Sequence, residues 1–384
     1  MSRLLLLLLL FGGCRGPLVV PCDNDQVCHT RDYTSGSCTT APSGNKYCAF
    51  PDAMCGQRWD ETAGEGLGGN CVASPDMGAP RLDMATAIHI SAWLPKKVDA
   101  KFNGSFYGVY AVKGTQEIYV CGEMGAIYYS NDNGKNWARQ GTPLEAQNKA
   151  LLAIWGSDSQ NIWAVGEGGT LLFKNGNLWT KAVQPSPSAL HGVWGTNSQD
   201  IWVVGTQNTV LHNTGAGWGA INTNIPGDWS SIWVAGEKLY LVGNTGLYSR
   251  KSSQGKGWDK EPTDNNNPLY SIWGSGPNDV YVTGGFQTLL HWEGQKWGSP
   301  PELQPQGQGE QNPLSLYGVW GSGPNEVYAV GSFVQGGGQI LFFNGKAWAP
   351  QTYSGSFGLY AIHGRGPAEA FIAGGDGEVL IGNP

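Results

Sequence analysis

The chain has 384 residues, of which 59 are glycine and 17 are tryptophan, and only 14% are charged. A formal charge of -7 without a basic cluster argues against nucleic acid as a partner, because phosphate contacts need Lys and Arg. The long apolar run at residues 4–11 is too short for a membrane-spanning helix, which needs roughly 20 residues. Many short strands joined by glycine-rich turns are the natural expectation.

The first segment, "MSRLLLLLLLFGGC", resembles a bacterial lipoprotein signal peptide over residues 1–13. In that family small residues such as Gly12 and Gly13 precede a cysteine, here Cys14, whose thiol carries the lipid. Arg15 resembles the pattern that sorts such proteins to the outer membrane. The alternative is an ordinary secretory signal in which Cys14 is incidental. Either way we expect an exported chain; in the first case it is lipid-anchored to the outer membrane, on its periplasmic or its surface side.

Residues 14–72 are predicted to form a small cysteine-rich module. In an exported protein, an even set of cysteines at this density is typical of three disulfides in a domain with little core of its own. A zinc site is the weaker alternative, because no CxxC pair occurs and His29 stands alone. Residues 73–85 are predicted to form a linker. The cysteines expected to pair, in an order that the sequence leaves open, are Cys22, Cys28, Cys38, Cys48, Cys55 and Cys71.

From residue 86 onward one sequence motif recurs, as in "AIWGSDSQNIWAVG" and "GVWGSGPNEVYAVG". A period of about 40 residues with several strands in each repeat is typical of β-propeller blades. We therefore predict that residues 86–384 form an all-β, seven-bladed propeller. The seven copies begin at Gly108, Ala153, Gly192, Ser231, Ser271, Gly318 and Ala361.

The seventh copy lacks the tryptophan that opens the fourth strand of every other copy. Trp93 precedes the first copy at the matching distance, so a strand around Trp93 is expected to complete the seventh blade. Such a strand would close the ring and remove exposed sheet edges. The other fourth-strand residues are Trp137, Trp179, Trp218, Trp258, Trp297 and Trp348.

Most aromatic residues occupy equivalent places in the copies, so we interpret them as packing residues. One such ring runs from Tyr110 through five tryptophans to His363. His212 and His291 take the place of third-strand phenylalanines and are interpreted as histidines packed between blades. Cys121 falls where other copies have small core residues, which predicts a buried, unreactive thiol.

The turn "SNDNGKNW" in the first copy resembles the Asp box, S-x-D-x-G-x-x-W, of sialidase-like propellers. The repeat as a whole resembles those of deltaproteobacterial, particularly myxobacterial, lipoproteins and of photosystem assembly-factor-type propellers. The resemblance implies the fold of residues 86–384 and a structural role for Asp132 in its turn. It implies little about activity, because propellers host many functions.

No G-x-S-x-G, H-E-x-x-H or P-loop string occurs, and we predict no catalytic residue, cofactor or metal. The alternative is a polysaccharide-active glycoside hydrolase or lyase that uses a pair of loop carboxylates. The carboxylates in or beside loops between second and third strands are Glu123, Glu167, Asp376 and Glu378.

A binding function is favoured by the longest connections between copies, residues 138–150 and 298–315, which are predicted to share one face. Loop variation on one face of a repeat protein commonly marks the binding side. The residue before each repeat start should lie at that mouth of the central channel, where aromatic rings could stack on a sugar or hold a peptide. The candidate ligand-binding residues are Tyr107, His191, Tyr270, Tyr317 and Tyr360.

These observations predict a monomeric, non-enzymatic envelope lipoprotein that binds a protein or a glycan. Its only membrane contact would be the lipid anchor. The alternatives are a scaffold that supports assembly, and rim side chains that only pack on neighbouring loops.

Overall fold

The computed structural model describes residues 89–235, 237–251, 257–303 and 311–384, together with the backbone of residues 37–40, 46–52 and 56–59. The chain divides into two compact units, Met1–Thr86 and Ala87–Pro384. In the described parts no helix is long and apolar enough to cross a membrane.

The described part of the first unit is a three-stranded antiparallel sheet of β1 (Ser37–Thr40), β2 (Lys46–Asp52) and β3 (Gly56–Trp59). Its register places the backbone of Cys38 opposite that of Cys48. The predicted signal peptide, the lipidation site Cys14 and the linker lie outside the described residues, as do the other four cysteines of the module. The three disulfides therefore stay a prediction.

The second unit contains seven antiparallel sheets of four strands each, which confirms the predicted seven-bladed, all-β propeller. The first strand of each blade lines a central channel. The strands are β5 (Phe106–Ala111), β6 (Ile118–Gly122), β7 (Ile127–Ser130) and β8 (Ala138–Arg139) in blade 1; β9 (Leu151–Asp158), β10 (Asn161–Gly166), β11 (Thr170–Asn175) and β12 (Leu178–Lys181) in blade 2; β13 (Leu190–Asn197), β14 (Asp200–Gly205), β15 (Val210–Asn213) and β16 (Trp218–Ala220) in blade 3; β17 (Trp229–Ala235), β18 (Lys238–Gly243), β19 (Gly246–Lys251) and β20 (Asp259–Lys260) in blade 4; β21 (Leu269–Gly276), β22 (Asp279–Gly284), β23 (Leu289–Trp292) and β24 (Trp297–Gly298) in blade 5; β25 (Leu314–Gly323), β26 (Glu326–Phe333), β27 (Gly338–Phe343) and β28 (Trp348–Gln351) in blade 6; and β29 (Leu359–Gly366), β30 (Glu369–Gly374), β31 (Glu378–Asn383) and β4 (Ala92–Lys97) in blade 7.

The N-terminal strand β4 completes blade 7, as the position of Trp93 predicts. Trp93 pairs with Gly382 in the register between β4 and β31. Its indole N–H donates to Oε1 of Gln351 in blade 6 at 2.7 Å, and its ring meets the edge of Tyr328 at 5.6 Å. The closing strand is therefore held both by its own sheet and by the neighbouring blade.

At four of the seven junctions between blades, a tryptophan of one first strand packs on a glycine of the next. A Cβ added to Gly321 would lie 2.7 Å from Cη2 of Trp273 in the preceding blade and 2.6 Å from the carbonyl oxygen of Glu326. The same overlap recurs between Trp155 and Gly195. The repeated Trp-Gly pair is thus an interblade contact, in which the absent side chain of one residue makes room for the indole of the other.

The interpretation of the aromatic residues as packing residues is confirmed for the second strands. At their centres lies a ring of buried aromatics: Tyr119, Trp163, Trp202, Tyr240, Tyr281, Tyr328 and Phe371. Cys121 is fully buried beside this ring, and desolvation raises the pKa of its thiol, as expected of an unreactive core cysteine.

His212 and His291 differ from the expectation, because each stacks within its own blade. His212 lies 3.7 Å from the Trp202 ring centroid, and its Nε2 lies 2.6 Å from Oδ1 of Asp200. His291 makes the same pair of contacts in blade 5. In both blades the second strand begins with an aspartate, which supplies a hydrogen-bond partner for the histidine ring nitrogen. A histidine can therefore replace the phenylalanine on the third strand.

The turn that contains Asp132 is closed by its own side chains. Ser130 Oγ donates to Asp132 Oδ1 at 2.8 Å, and Asp132 accepts from the backbone and side-chain nitrogens of Asn136. These donors hold the pKa of Asp132 at about 2. The residue therefore shapes a turn, as the resemblance implies.

One buried carboxylate joins blades 4 and 5. Glu261 Oε1 accepts from Lys238 at 2.7 Å and from the hydroxyl of Ser249, and its Oε2 accepts from the indole N–H of Trp297 at 2.9 Å. Burial by itself would raise the pKa of Glu261, but these donors outweigh it and hold the pKa below the ordinary 4.5.

We predict that Gly321→Ala lowers the free energy of unfolding by about 1–3 kcal/mol, because the new methyl overlaps backbone and indole atoms. The control is Gly323→Ala in the same strand, where a Cβ would meet nothing within 4 Å. That variant should match the wild type or exceed it slightly. Chemical unfolding followed by tryptophan fluorescence measures both, and equal stabilities would contradict the packing argument.

We also predict that Glu261→Gln lowers stability at neutral pH by about 1–3 kcal/mol, because Lys238 loses its buried anion. The folded-state pKa is depressed, so the stabilisation is present above the ordinary 4.5 and is lost as the pH falls through the folded value. The difference between the two proteins should therefore shrink in acid. Thermal unfolding across pH measures it, with exposed Glu237→Gln of the same blade as control; a constant difference at every pH would contradict the assignment.

Candidate functional site at the channel mouth

The end of the channel at which the first strands begin is called the mouth here. A cavity of about 510 Å³ opens there. Since strands alternate in direction, the mouth also carries the loops between second and third strands and the connections between blades. All five predicted ligand-binding residues line this cavity, together with Leu152 and Ser230: Tyr107, His191, Tyr270, Tyr317 and Tyr360.

Four of the lining residues form a continuous aromatic arc across blades 5, 6, 7 and 1. Tyr270 stacks on Tyr317 with centroids 5.2 Å apart, Tyr317 contacts Tyr360 at 5.7 Å, and Tyr360 contacts Tyr107 at 5.4 Å. Tyr317 is 37% exposed, whereas the other three are half-buried. The arc therefore offers one protruding ring flanked by two supporting rings, which is a pre-ordered surface for an apolar or planar group.

One end of the arc is fixed by a carboxylate. The Tyr107 hydroxyl donates to Oε1 of Glu123 at 3.0 Å. Desolvation, reinforced by this bond, raises the pKa of Tyr107 to about 12. The phenol thus stays protonated and acts as a donor, and the carboxylate is engaged in holding the ring.

The other side of the cavity is more polar. His191 Nδ1 lies 3.2 Å from the carbonyl oxygen of Trp229, which can only accept. The neutral imidazole is therefore the Nδ1–H tautomer, and its Nε2 is left as an acceptor. With Ser230 beside it, the cavity combines an aromatic arc on one side with hydrogen-bonding groups on the other.

The two long connections contribute unequally to the mouth. Residues 138–150 do lie there, because Gly125 N donates to the carbonyl of Lys149 and Thr142 Oγ1 donates to that of Gly125. The described start of the second connection lies elsewhere, since Glu302 accepts from the backbone N–H of Trp348 on the outer strand of blade 6. Its described end, from residue 311, returns to the mouth, where Val334 N donates to Pro313.

Exposed apolar side chains concentrate around the mouth. Among the described residues, seven large hydrophobic side chains are exposed, and five of them belong to this end of the propeller. Leu94 and Leu178 lie elsewhere. The sequence reasoning missed four of the five, although apolar residues at the tips of polar loops would have indicated them. The five are Met124, Leu144, Val183, Tyr317 and Val334.

Two of the four loop carboxylates of the enzyme hypothesis are engaged by the protein itself. Glu167 Oε2 accepts from the backbone N–H of Ala150 at 2.9 Å, and Glu123 holds Tyr107. Asp376 and Glu378 remain, and the pKa of Glu378 is raised by desolvation and by neighbouring Asp376, against the opposite influence of Lys97. Within the described parts of the chain, no three His, Cys, Asp or Glu side chains converge as metal ligands would.

His363 closes the ring of inner aromatic residues at the other end of the channel. Its Nδ1 accepts a hydrogen bond from the backbone N–H of Ala111 at 3.1 Å, and its ring lies 5.0 Å from Tyr110. Desolvation and then the charge of Arg365 lower its pKa from 6.5 to about 4. His363 is thus a neutral interblade histidine, as the sequence predicts.

Several solved propellers resemble the structure. YCF48 bound to D1 peptide has a TM-score of 0.61 at 14% identity and covers 78% of this chain and 99% of its own. YCF48 from Cyanidioschyzon merolae scores 0.57 at 16% identity and covers 76% of this chain and 99% of its own. The WD40 repeats of RRP9 score 0.62 at 8% identity with the same two coverages, 76% and 99%. No protein-family model and no curated protein matches the chain.

At these identities the likeness establishes the propeller fold and no activity. The resemblance of the repeats to deltaproteobacterial lipoproteins stays a prediction.

We predict that the imidazole of His363 titrates near pH 4, well below 6.5. The unfolded chain takes up this proton at higher pH than the folded chain, so this histidine's contribution to stability declines as the pH falls from 6.5 toward 4. An NMR titration of the histidine resonances, with His363→Gln to assign the signal, measures the midpoint. A midpoint near 6.5 would contradict the packed, neutral ring.

Proposed function

We propose that the protein binds a protein partner, through a peptide segment, at the mouth of its propeller and carries out no catalysis. The observation that carries the proposal is the concentration of exposed apolar side chains around a cavity lined by the tyrosine arc. Exposed apolar clusters with a polar rim mark interaction sites, and tyrosines in half-buried pockets commonly dominate binding energy.

The chemistry of the cavity suits a peptide. The arc accepts an apolar or aromatic side chain, while His191 Nε2 offers an acceptor for a backbone N–H and Ser230 offers a hydroxyl. YCF48, which shares the fold, has been solved bound to D1 peptide, and this supports a peptide as the type of ligand.

Binding is preferred to catalysis because two of the four loop carboxylates already hold protein donors. Glu123 is bonded to Tyr107 and Glu167 to Ala150. A glycosidase needs one free acid and one free nucleophile or base across the bond that it cleaves. We further propose, on the signal-like N-terminal segment alone, that the protein works as a lipid-anchored protein of the cell envelope.

The test is selection of peptides from a displayed library on the full-length chain, followed by affinity measurements with variants. We predict that Tyr317→Ala weakens a selected peptide at least about tenfold, because the protruding ring of the arc is lost. Leu144→Ala should weaken it less. The matched control is Leu178→Ala, which removes an exposed leucine at the opposite end of the propeller.

Equal affinities for wild type, Tyr317→Ala and Leu144→Ala would overturn the proposal. A glycan array run in parallel separates the two classes of ligand. If a glycan alone binds and depends on Tyr317, the mouth is the site but the ligand is a carbohydrate, and the protein-binding proposal is wrong. Circular dichroism of each variant checks that the fold is retained.

A further inference from the structure

A second cavity, of about 360 Å³, occupies the opposite end of the channel, called the base here. It lies within the inner aromatic ring, beside Tyr110, Trp155 and Trp320. The side chains that give it chemical character are Lys113, Ser157, Thr196, Ser322, His363 and Arg365. The sequence analysis does not predict this site, which combines residues of five different blades.

The charged side chains that line the base cavity are both cationic. Lys113 and Arg365 line it, and none of the described residues that line it is acidic. The guanidinium of Arg365 is held by the carbonyl of Thr115 and by Asn133, and its Nε lies 3.4 Å from Glu369. Lys113 meets no anionic partner among the described residues. A cavity lined by two cationic side chains, one of them held in place, and by no carboxylate favours a negatively charged occupant.

Asp158, whose charge acts on the lining residue Tyr110, is already engaged. Asp158 accepts from Ser157 Oγ at 2.8 Å and from the backbone N–H groups of Gln160 and Asn161. It also accepts from the Asn161 side chain. Its charge is thus spread over several donors of its own turn, which weakens its repulsion of an anion in the cavity.

Uncharged donors complete the cavity. Because Nδ1 of His363 accepts from Ala111 N–H, the neutral ring carries its proton on Nε2, which is left to donate. The indole N–H groups of Trp155 and Trp320 have no hydrogen-bond acceptor among the described residues. Neither of the two indole nitrogens is fully buried, so both can reach a ligand. Ser322 adds a hydroxyl.

From this arrangement we propose that the base cavity is a second ligand site, independent of the mouth, which binds a small anionic group. The group is a carboxylate or a phosphate, held by the Lys113 ammonium, by His363 Nε2–H and by the indole N–H donors. Carboxylates and phosphates accept several hydrogen bonds at once. A set of charged and neutral N–H donors therefore suits them.

The experiment labels the tryptophan side chains of the full-length chain with ¹⁵N and follows the indole N–H resonances by NMR. Inorganic phosphate and acetate are titrated separately at constant ionic strength. Saturable shifts confined to a few indole signals are expected. We predict that Lys113→Gln weakens the apparent affinity about fivefold or more, because one charge is lost from the cavity. The matched control is Lys346→Gln, an exposed lysine in a turn at the same end but outside the cavity.

The outcomes decide both the site and its preference. Saturation by phosphate alone assigns a phosphate site, and saturation by acetate alone assigns a carboxylate site. The proposal is overturned if neither anion shifts an indole signal, or if Lys113→Gln and Lys346→Gln titrate alike. Since Lys113 lines the base cavity and Tyr317 lines the mouth, the peptide-binding result can succeed or fail without changing this one.

Discussion

The contact between an indole and a glycine of the next blade is the constraint on which the propeller depends. Four of the five tryptophans of the inner ring lie where a Cβ of the following blade would stand, so the first strands of those blades approach closely. A large side chain contributes roughly 1.5–3 kcal/mol when fully buried, and these indoles are buried or half-buried. A repeat protein needs such a nearest-neighbour interface because a single blade cannot bury its own apolar face.

The same repetition explains what could be predicted from the sequence. Blade number, strand order and the closing role of Trp93 follow from residues that recur at fixed positions, because a recurring position has a recurring neighbour. The tyrosines of the mouth were predictable for the same reason, since each immediately precedes a repeat start. The partners of individual side chains were not predictable in this way. The stacking of His212 on Trp202 depends on Asp200, and the outer packing of Glu302 depends on a connection that no other blade shares.

The two ends of the channel differ chemically because the first strands all run in one direction. At the mouth, His191 is bonded through Nδ1 to a carbonyl and leaves an acceptor; at the base, His363 is bonded through Nδ1 to an N–H and leaves a donor. The backbone thus fixes opposite tautomers in two side chains of the same type. The mouth adds exposed apolar residues and the base adds cations, so one channel presents a surface for a peptide and a pocket suited to an anion.

The base cavity lies beside the junction of blades 7 and 1, where the repeat departs from its own pattern. There the glycine is replaced by Ala111, and the facing indole is replaced by the smaller ring of His363, which makes a hydrogen bond in place of close packing. Arg365 then reaches across the junction to Thr115 and Asn133 of blade 1. A ring closed by a strand from the N-terminal side has to join its first and last copies, and these substitutions secure the junction with polar groups. Because those groups border the channel, the closure of the fold itself brings donors and positive charge into the base cavity.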